Sequence, residues 1–262
     1  MKLYHAGVST CSQKVRLVLA EKSLDYDSQF VDLQQGGQFA ADYLRKNPAG
    51  VVPTLEDQGL TLVESTLINE YLDDAYPEVS LRPVAPGLRH QMRLWCKKID
   101  ELHPHCGVQT YAIGARPGLL ARPADEVARL VAAIPDPARR ALRRSVIDDG
   151  VRAPAFVDAY AAHDRFFADV DAALQSGDWL VGDDFSLADA ALLPYVLRVD
   201  HLGLSALLEE RPSLLGWYQR ICARPSYEVA VAALLPDAVV KAFRAAGAAV
   251  ADDVATLVAS NE

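Results

Sequence analysis

The spacing of apolar positions changes character once along this chain. Up to about residue 76, short apolar runs of strand length alternate with helical stripes. Lys2–His5 reads as a short strand. Val15, Val18, Leu19 and Leu24 then form a stripe that predicts a helix from Ser12 to about Lys22. A second strand is expected over Gln29–Leu33. Gly36-Gly37 marks a loop, and Gln38 to about Lys46 a short helix. The turn signal Asn47-Pro48-Ala49-Gly50 leads into a strand over Val51–Leu55, and Gly59 separates it from a hairpin partner over Leu60–Val63. Glu64-Ser65 opens a helix that carries Leu67, Ile68, Tyr71 and Leu72. The order over residues 1–76 is βαβαββα, an α/β unit.

Residues 77–87 hold Pro77, Pro83 and Pro86 without clear periodicity and read as a linker. Everything from 88 to 262 looks helical. Met92, Trp95, Ile99, Leu102 and Cys106 step by three and four along one face of a long helix. Phe156, Tyr160, His163, Phe167, Val170 and Leu174 do the same on another. Between them, residues 114–152 are rich in Pro, Arg and Ala. They read as an extension or excursion with no assigned elements. Ser186-Leu187-Ala188-Asp189 is a variant capping box that starts a buried apolar helix, and the most economical role for Asp189 is to cap it. Further helices are expected over Pro212–Ala223, from Pro225, and in the Ala- and Val-rich tail 236–262.

Composition narrows the function. At 262 residues the chain can form two domains, and its net charge of −9 argues against a nucleic-acid partner. No apolar run approaches the ~20 residues that span a bilayer, and the chain opens directly on a strand, so neither a membrane role nor a signal peptide is expected. Cys11, Cys96, Cys106 and Cys222 are scattered without metal-ligand spacing, so free thiols in a reducing cytoplasm are expected and no metal.

Candidate chemistry gathers at Ser9-Thr10-Cys11-Ser12-Gln13-Lys14, where the first strand switches to a helix. The first N–H groups of a helix are unpaired and carry the positive end of its dipole. A thiolate there is stabilised, whether it belongs to Cys11 or to a bound ligand. Two features downstream have both a plain and a functional reading. Pro53 fits an edge strand, or a cis Val52-Pro53 bond that turns the Val52 backbone toward a peptide-like ligand. Glu64-Ser65 fits an ordinary N-cap, or a cradle for a ligand carboxylate at a helix N-terminus.

These motifs, in this order and spacing, resemble the cytosolic glutathione transferases over almost the whole chain. STCSQKVR after the first strand, NPAGVVPTL, the Glu64-Ser65 pair and FSLADA at 185–190 carry the resemblance. It implies a thioredoxin-like N-terminal domain (1–76) and an all-α C-terminal domain (88–262). Within the family, STCS is similar to the motif of zeta-class enzymes, including maleylacetoacetate isomerases, and of tetrachlorohydroquinone reductive dehalogenase. TYA at 110–112 and RPSLLGWYQR at 211–220 also resemble the dehalogenase. ESTLINEYLDDAYPE resembles bacterial β-aryl etherases. QKVRLVLAEKSL is similar to ganglioside-induced differentiation-associated proteins, which leaves a non-catalytic binding protein as the alternative class.

The resemblance implies glutathione as co-substrate, a small hydrophobic electrophile as its partner, and a homodimer. Glutathione is expected to pair with Val52 beside Pro53, to place its γ-glutamyl carboxylate at Glu64 and Ser65, and to reach Gln38 with its glycine end. Ser9, Cys11 and Ser12 are the candidates for handling sulfur, and the residues alone leave open which of them touches it. Lowering a thiol pKa by about two units takes about 2.7 kcal/mol, the size of one charge-assisted hydrogen bond plus a helix terminus. Cys11 can also attack a glutathionyl adduct and form a mixed disulfide that a second glutathione releases. The plain alternative is a small packing residue. His103 and Tyr111 are expected to face the second substrate, with His105 nearby. Arg16 is expected to face either solvent or the site.

Overall fold

The computed structural model describes residues 1–260. Its N-terminal part is a four-stranded sheet with the order β2-β1-β3-β4, formed by β1 (Lys2–His5), β2 (Asp27–Phe30), β3 (Thr54–Asp57) and β4 (Leu60–Leu62). β1 and β2 are parallel, and the other two pairings are antiparallel, with Leu3 opposite Leu55. The helices α1 (Thr10–Glu21), α2 (Ala41–Leu44) and α3 (Ser65–Ala75) complete the expected thioredoxin-like unit.

Element ends differ from the expected ones for identifiable reasons. α1 begins at Thr10, because Ser9 is its N-cap and its hydroxyl accepts the Ser12 N–H at 3.2 Å. Cys11 therefore lies inside the first turn. β2 runs over Asp27–Phe30 and not over Gln29–Leu33, since pairing with β1 fixes its register from Lys2 opposite Asp27 to His5 opposite Phe30. β3 begins only at Thr54. The Val52-Pro53 peptide is cis, and the Val51 carbonyl is taken by the Tyr43 hydroxyl at 2.6 Å and by Asn47 Nδ2 at 2.9 Å. The expected helix over Gln38–Lys46 is split into a tight turn at Gly37–Phe39 and α2, because Ala40 is extended.

The remaining chain is helical. α4 (Pro86–Gln109) runs into a π-helical turn at Thr110–Gly114. It starts inside the expected linker, since Pro86 is well suited to the first helical turn. The unassigned stretch consists of α5 (Arg116–Leu120), α6 (Ala124–Ala132) and α7 (Pro137–Asp149), held by a small cluster of Val127, Val131 and Ile147. Then follow α8 (Pro154–Leu174), α9 (Leu187–His201), α10 (Ala206–Glu209), α11 (Pro212–Cys222) and α12 (Pro225–Ala230). The tail is α13 (Asp237–Ala248) and α14 (Ala251–Ala259); its last two residues lie outside the described ones.

α9 is the central rod of the helical part, and almost all of it is buried. The capping box forms as expected. Asp189 also accepts the Leu180 N–H at 3.0 Å and the Trp217 indole N–H at 2.9 Å. α1 packs against α3, α9 and α12, so Ser12 to Leu19 are all buried. One core runs through both parts, from Leu3 and Leu55 to Tyr195 and Trp217. Arg16 is buried and faces neither solvent nor site. It donates to the Ala230 carbonyl at 2.7 Å and to the Ala6 and Gly7 carbonyls at 3.0 and 3.1 Å, clamping α1 to the end of α12. Arg198 is a second clamp, bonded to the Val8 carbonyl and, at 2.8 Å, to Thr110 Oγ1.

Candidate active site

The site forms where the first turn of α1 faces α4. Cys11 is half-buried, and its Sγ lies 3.6 Å from Nδ1 and 3.8 Å from Nε2 of His103. The Tyr195 hydroxyl is 3.1 Å from the same Nδ1. Lys14, one turn after Cys11, is fully buried and pairs with Asp100 at 2.7 Å. Its Nζ also lies 5.2 Å from the Tyr195 ring centroid. Thr66 Oγ1 donates to the same Asp100 oxygen at 2.8 Å, which joins α3 to the network.

This arrangement makes Cys11 acidic. Burial alone raises a thiol pKa, but here the charge and hydrogen bond of His103 overcome it, with Lys14 and the Ser65 hydroxyl adding to the effect. The result is a pKa lowered to about 6, so the thiolate is the main form at neutral pH. His103 moves in the opposite direction. The Cys11 thiolate draws its pKa up against the effect of burial, and the two groups favour an ion pair. At the other three cysteines burial outweighs the neighbours that would stabilise a thiolate, and it pushes Cys96 up to about 12 and Cys106 and Cys222 up to about 11.

Beside the thiol the structure offers a cradle for a peptide-like ligand. Val52 precedes the cis bond to Pro53, and among the described residues its backbone N–H and C=O are taken by no other backbone group. α3 starts at Ser65 without a side-chain cap, so its first N–H groups are available to a carboxylate. Glu64, just before it, is exposed and holds a positive φ of 69°, a conformation that favours glycine. Gln38 Oε1 is buried without a hydrogen-bond partner among the described residues, an acceptor that a ligand N–H would satisfy. These features fit glutathione, whose groups are a carboxylate, peptide amides and a thiol.

The expected residues divide clearly. Ser9 and Cys11 are both half-buried at the start of α1, where the Ser9 hydroxyl accepts the Ser12 N–H. Ser12, expected among the sulfur-handling residues, is fully buried with its hydroxyl accepting the Ala6 N–H at 3.4 Å, and does not reach the cleft. His103, a candidate for meeting the second substrate, contacts Cys11. Tyr111 lies two turns further along the chain, under the Arg143 guanidinium. His105 faces Asp158 and Arg165 of α8, away from Cys11. Sequence reasoning missed Lys14, Asp100 and Tyr195. The one available signal was Lys14, a cation within the apolar stripe of α1. Among the described residues, no group of three or more His, Cys, Asp or Glu could hold a metal ion.

The chain is similar to known proteins in sequence and in fold. Residues 8–75 match the glutathione S-transferase N-terminal domain, and residues 138–225 the glutathione S-transferase C-terminal domain. LigF of a Sphingobium species is 31% identical over 86% of this chain and 91% of its own. The crystal structure of this β-etherase superposes with a TM-score of 0.81 over 87% of this chain and 97% of its own, at 29% identity. Glutathione S-transferase 3 of Zea mays is 30% identical over 89% of this chain and 94% of its own. A zeta-class maleyl pyruvate isomerase shares the fold at 20% identity, with a TM-score of 0.65 over 90% of this chain and 99% of its own.

Proposed function

The chain belongs to the glutathione S-transferase family, and on that premise we propose that it transfers glutathione to a small hydrophobic electrophile and passes sulfur through Cys11. The observation that carries this reading is the Cys11–His103 pair at the N-terminus of α1, beside a cradle that fits glutathione. Glutathione lies with its γ-glutamyl carboxylate at Ser65, its backbone along Val52, its glycine end near Gln38, and its sulfur by the Ser9 hydroxyl. The glutathione thiolate attacks an electrophilic carbon, a carbon–sulfur bond forms, and a halide or aryloxide leaves with its electron pair.

Cys11 then provides a second step. Its thiolate attacks the glutathionyl sulfur of the adduct. The carbon–sulfur bond breaks, and the carbon keeps the electron pair and takes a proton from the His103 imidazolium. Cys11 is left in a mixed disulfide with glutathione. A second glutathione thiolate attacks that disulfide, glutathione disulfide leaves, and Cys11 returns as the thiolate. Over the cycle, two glutathione molecules are oxidised while the substrate carbon is reduced.

The similarity to LigF favours a second reading, in which the reaction ends at the first step. Glutathione then cleaves a β-aryl ether and Cys11 takes no part. Assays of the wild type and Cys11→Ser separate the two. Loss of reductive dehalogenation and thiol exchange in the variant, with glutathione affinity unchanged by calorimetry, supports the first. Full activity in the variant overturns it. We also infer a cytoplasmic homodimer with a role in detoxification. Its support is four free thiols and the exposed Leu67 and Leu94 on the adjacent helices α3 and α4, which the Arg93–Glu70 ion pair joins.

A further inference from the structure

The segment α5–α7 returns across the chain to the N-terminal unit. Arg122 Nη1 donates to the Gln34 carbonyl at 2.9 Å, and Arg139 Nη1 to the Ala49 carbonyl at 3.1 Å. Leu130 of α6 packs on Gly36, where an added Cβ would lie 3.1 Å from its methyl group. These three contacts fall on the loops that carry Gln38 and Val52. At its other end, α7 meets the end of α4: the Arg143 guanidinium carbon lies 3.0 Å from the Tyr111 ring centroid. Tyr111 follows Thr110, which Arg198 ties to Val8, next to Ser9. α7 thus runs from the loop that carries Ala49 to Tyr111, two turns beyond His103 along the chain. Arg139 and Arg143 are one turn apart on one face of it.

The arginines of α7 are not equivalent. Arg144 pairs with Asp148 at 3.2 Å, and Arg140 closes on the Ile134 carbonyl at 2.9 Å. Arg143 is half-buried, and the charged or polar groups that act on it are Tyr111 and a second cation, Arg139. Among the described residues, no carboxylate pairs with either Arg139 or Arg143. A partly desolvated guanidinium beside a like charge is a costly arrangement without an anion. Its planar fork matches a carboxylate.

We propose that Arg143, stacked on Tyr111, binds a carboxylate carried by the acceptor substrate, so that the preferred electrophiles are carboxylate-bearing aromatic compounds. This rests on the glutathione-transferase reading of the cleft. It places the anion site on α7, apart from the residues that handle sulfur.

The test uses two conjugates that mimic a product, S-benzylglutathione and S-(para-carboxybenzyl)glutathione, titrated calorimetrically into the full chain. The wild type should bind the carboxylated conjugate about tenfold more tightly, the size of one charge-assisted hydrogen bond. Arg143→Gln should reduce that preference to about one and leave S-benzylglutathione affinity within about twofold. Arg143→Lys, which keeps the charge, should restore part of it. Equal binding of both conjugates by the wild type, a measurement that needs no variant, overturns the proposal. So does a preference that survives in folded Arg143→Gln. If neither conjugate binds, the glutathione reading itself fails and takes this inference with it.

Discussion

Cys11 and His103, in contact where α1 meets α4, contrast with Cys106 and His163, each buried separately in the helical interior. Both pairs involve the same two residue types, and the environment drives them in opposite directions. At the cleft, the thiol falls to about 6 and the imidazole rises, because each stabilises the charge of the other. In the interior, burial dominates: Cys106 is pushed up to about 11 and His163 down to about 4. His163 Nδ1 donates to the Ala159 carbonyl at 2.9 Å, and no charged partner compensates for the loss of water. Residue type therefore says little about reactivity here. An opposite charge within about 4 Å at a helix N-terminus decides it.

The sharpest way to break the comparison is to exchange the thiols. Cys11→Ser should reduce Cys-dependent turnover on the order of 10³-fold, whereas Cys106→Ala should leave turnover per folded molecule within about twofold. Steady-state assays of both variants, normalised to folded protein, check this. Equal losses would end the distinction between the two sites.

A smaller effect follows from removing the cleft cation. His103→Phe takes away the charge that opposes burial, so the Cys11 pKa should rise from about 6 toward, or above, the ordinary thiol value of ~8.5. At pH 6 the thiolate fraction should then fall on the order of 10²-fold. Ultraviolet titration of the thiolate in the two proteins reads this directly.

The interior pair sharpens the contrast through stability. His163 is neutral in the fold down to about pH 4, but titrates near ~6.5 in the unfolded chain. Between these values the unfolded state binds more protons, so stability rises with pH across the window and falls on acidification. His163 alone should account for about 2–3 kcal/mol lost by pH 4.5. Urea melts at a series of pH values, compared with His163→Phe, measure it. An identical pH dependence in the variant would contradict the assignment. The smallest effect concerns the cradle: Ser65→Ala should weaken glutathione binding by about tenfold or less in calorimetry, by loss of one hydrogen bond to a carboxylate.

The sequence revealed these regions unequally. Local patterning was enough for the thioredoxin-like unit and the long helices, since the period of apolar positions follows directly from which face each element buries. It also pointed to Ser9 and Cys11, Pro53 and Ser65, because strand-to-helix switches and prolines leave local marks. It was silent on the partners of Cys11. His103 is 92 residues away from it in sequence, and nothing in the spacing of α4 says that this face meets α1. Tyr195 belongs to a helix buried on all sides, so no amphipathic stripe distinguishes the position that reaches the site. α5–α7 were illegible for another reason. Their own core is only a few side chains, and their arginines are fixed by distant backbone carbonyls at Gln34 and Ala49.

The central claim is that Cys11 is a thiolate poised to exchange with glutathione. The most direct test is to mix the protein with glutathione disulfide at neutral pH and determine its intact mass and the modified peptide. The account predicts a single glutathione adduct on Cys11, removed by excess reduced glutathione, with Cys96, Cys106 and Cys222 unmodified. A folded protein that forms no adduct, or one that carries it on another cysteine, would contradict it.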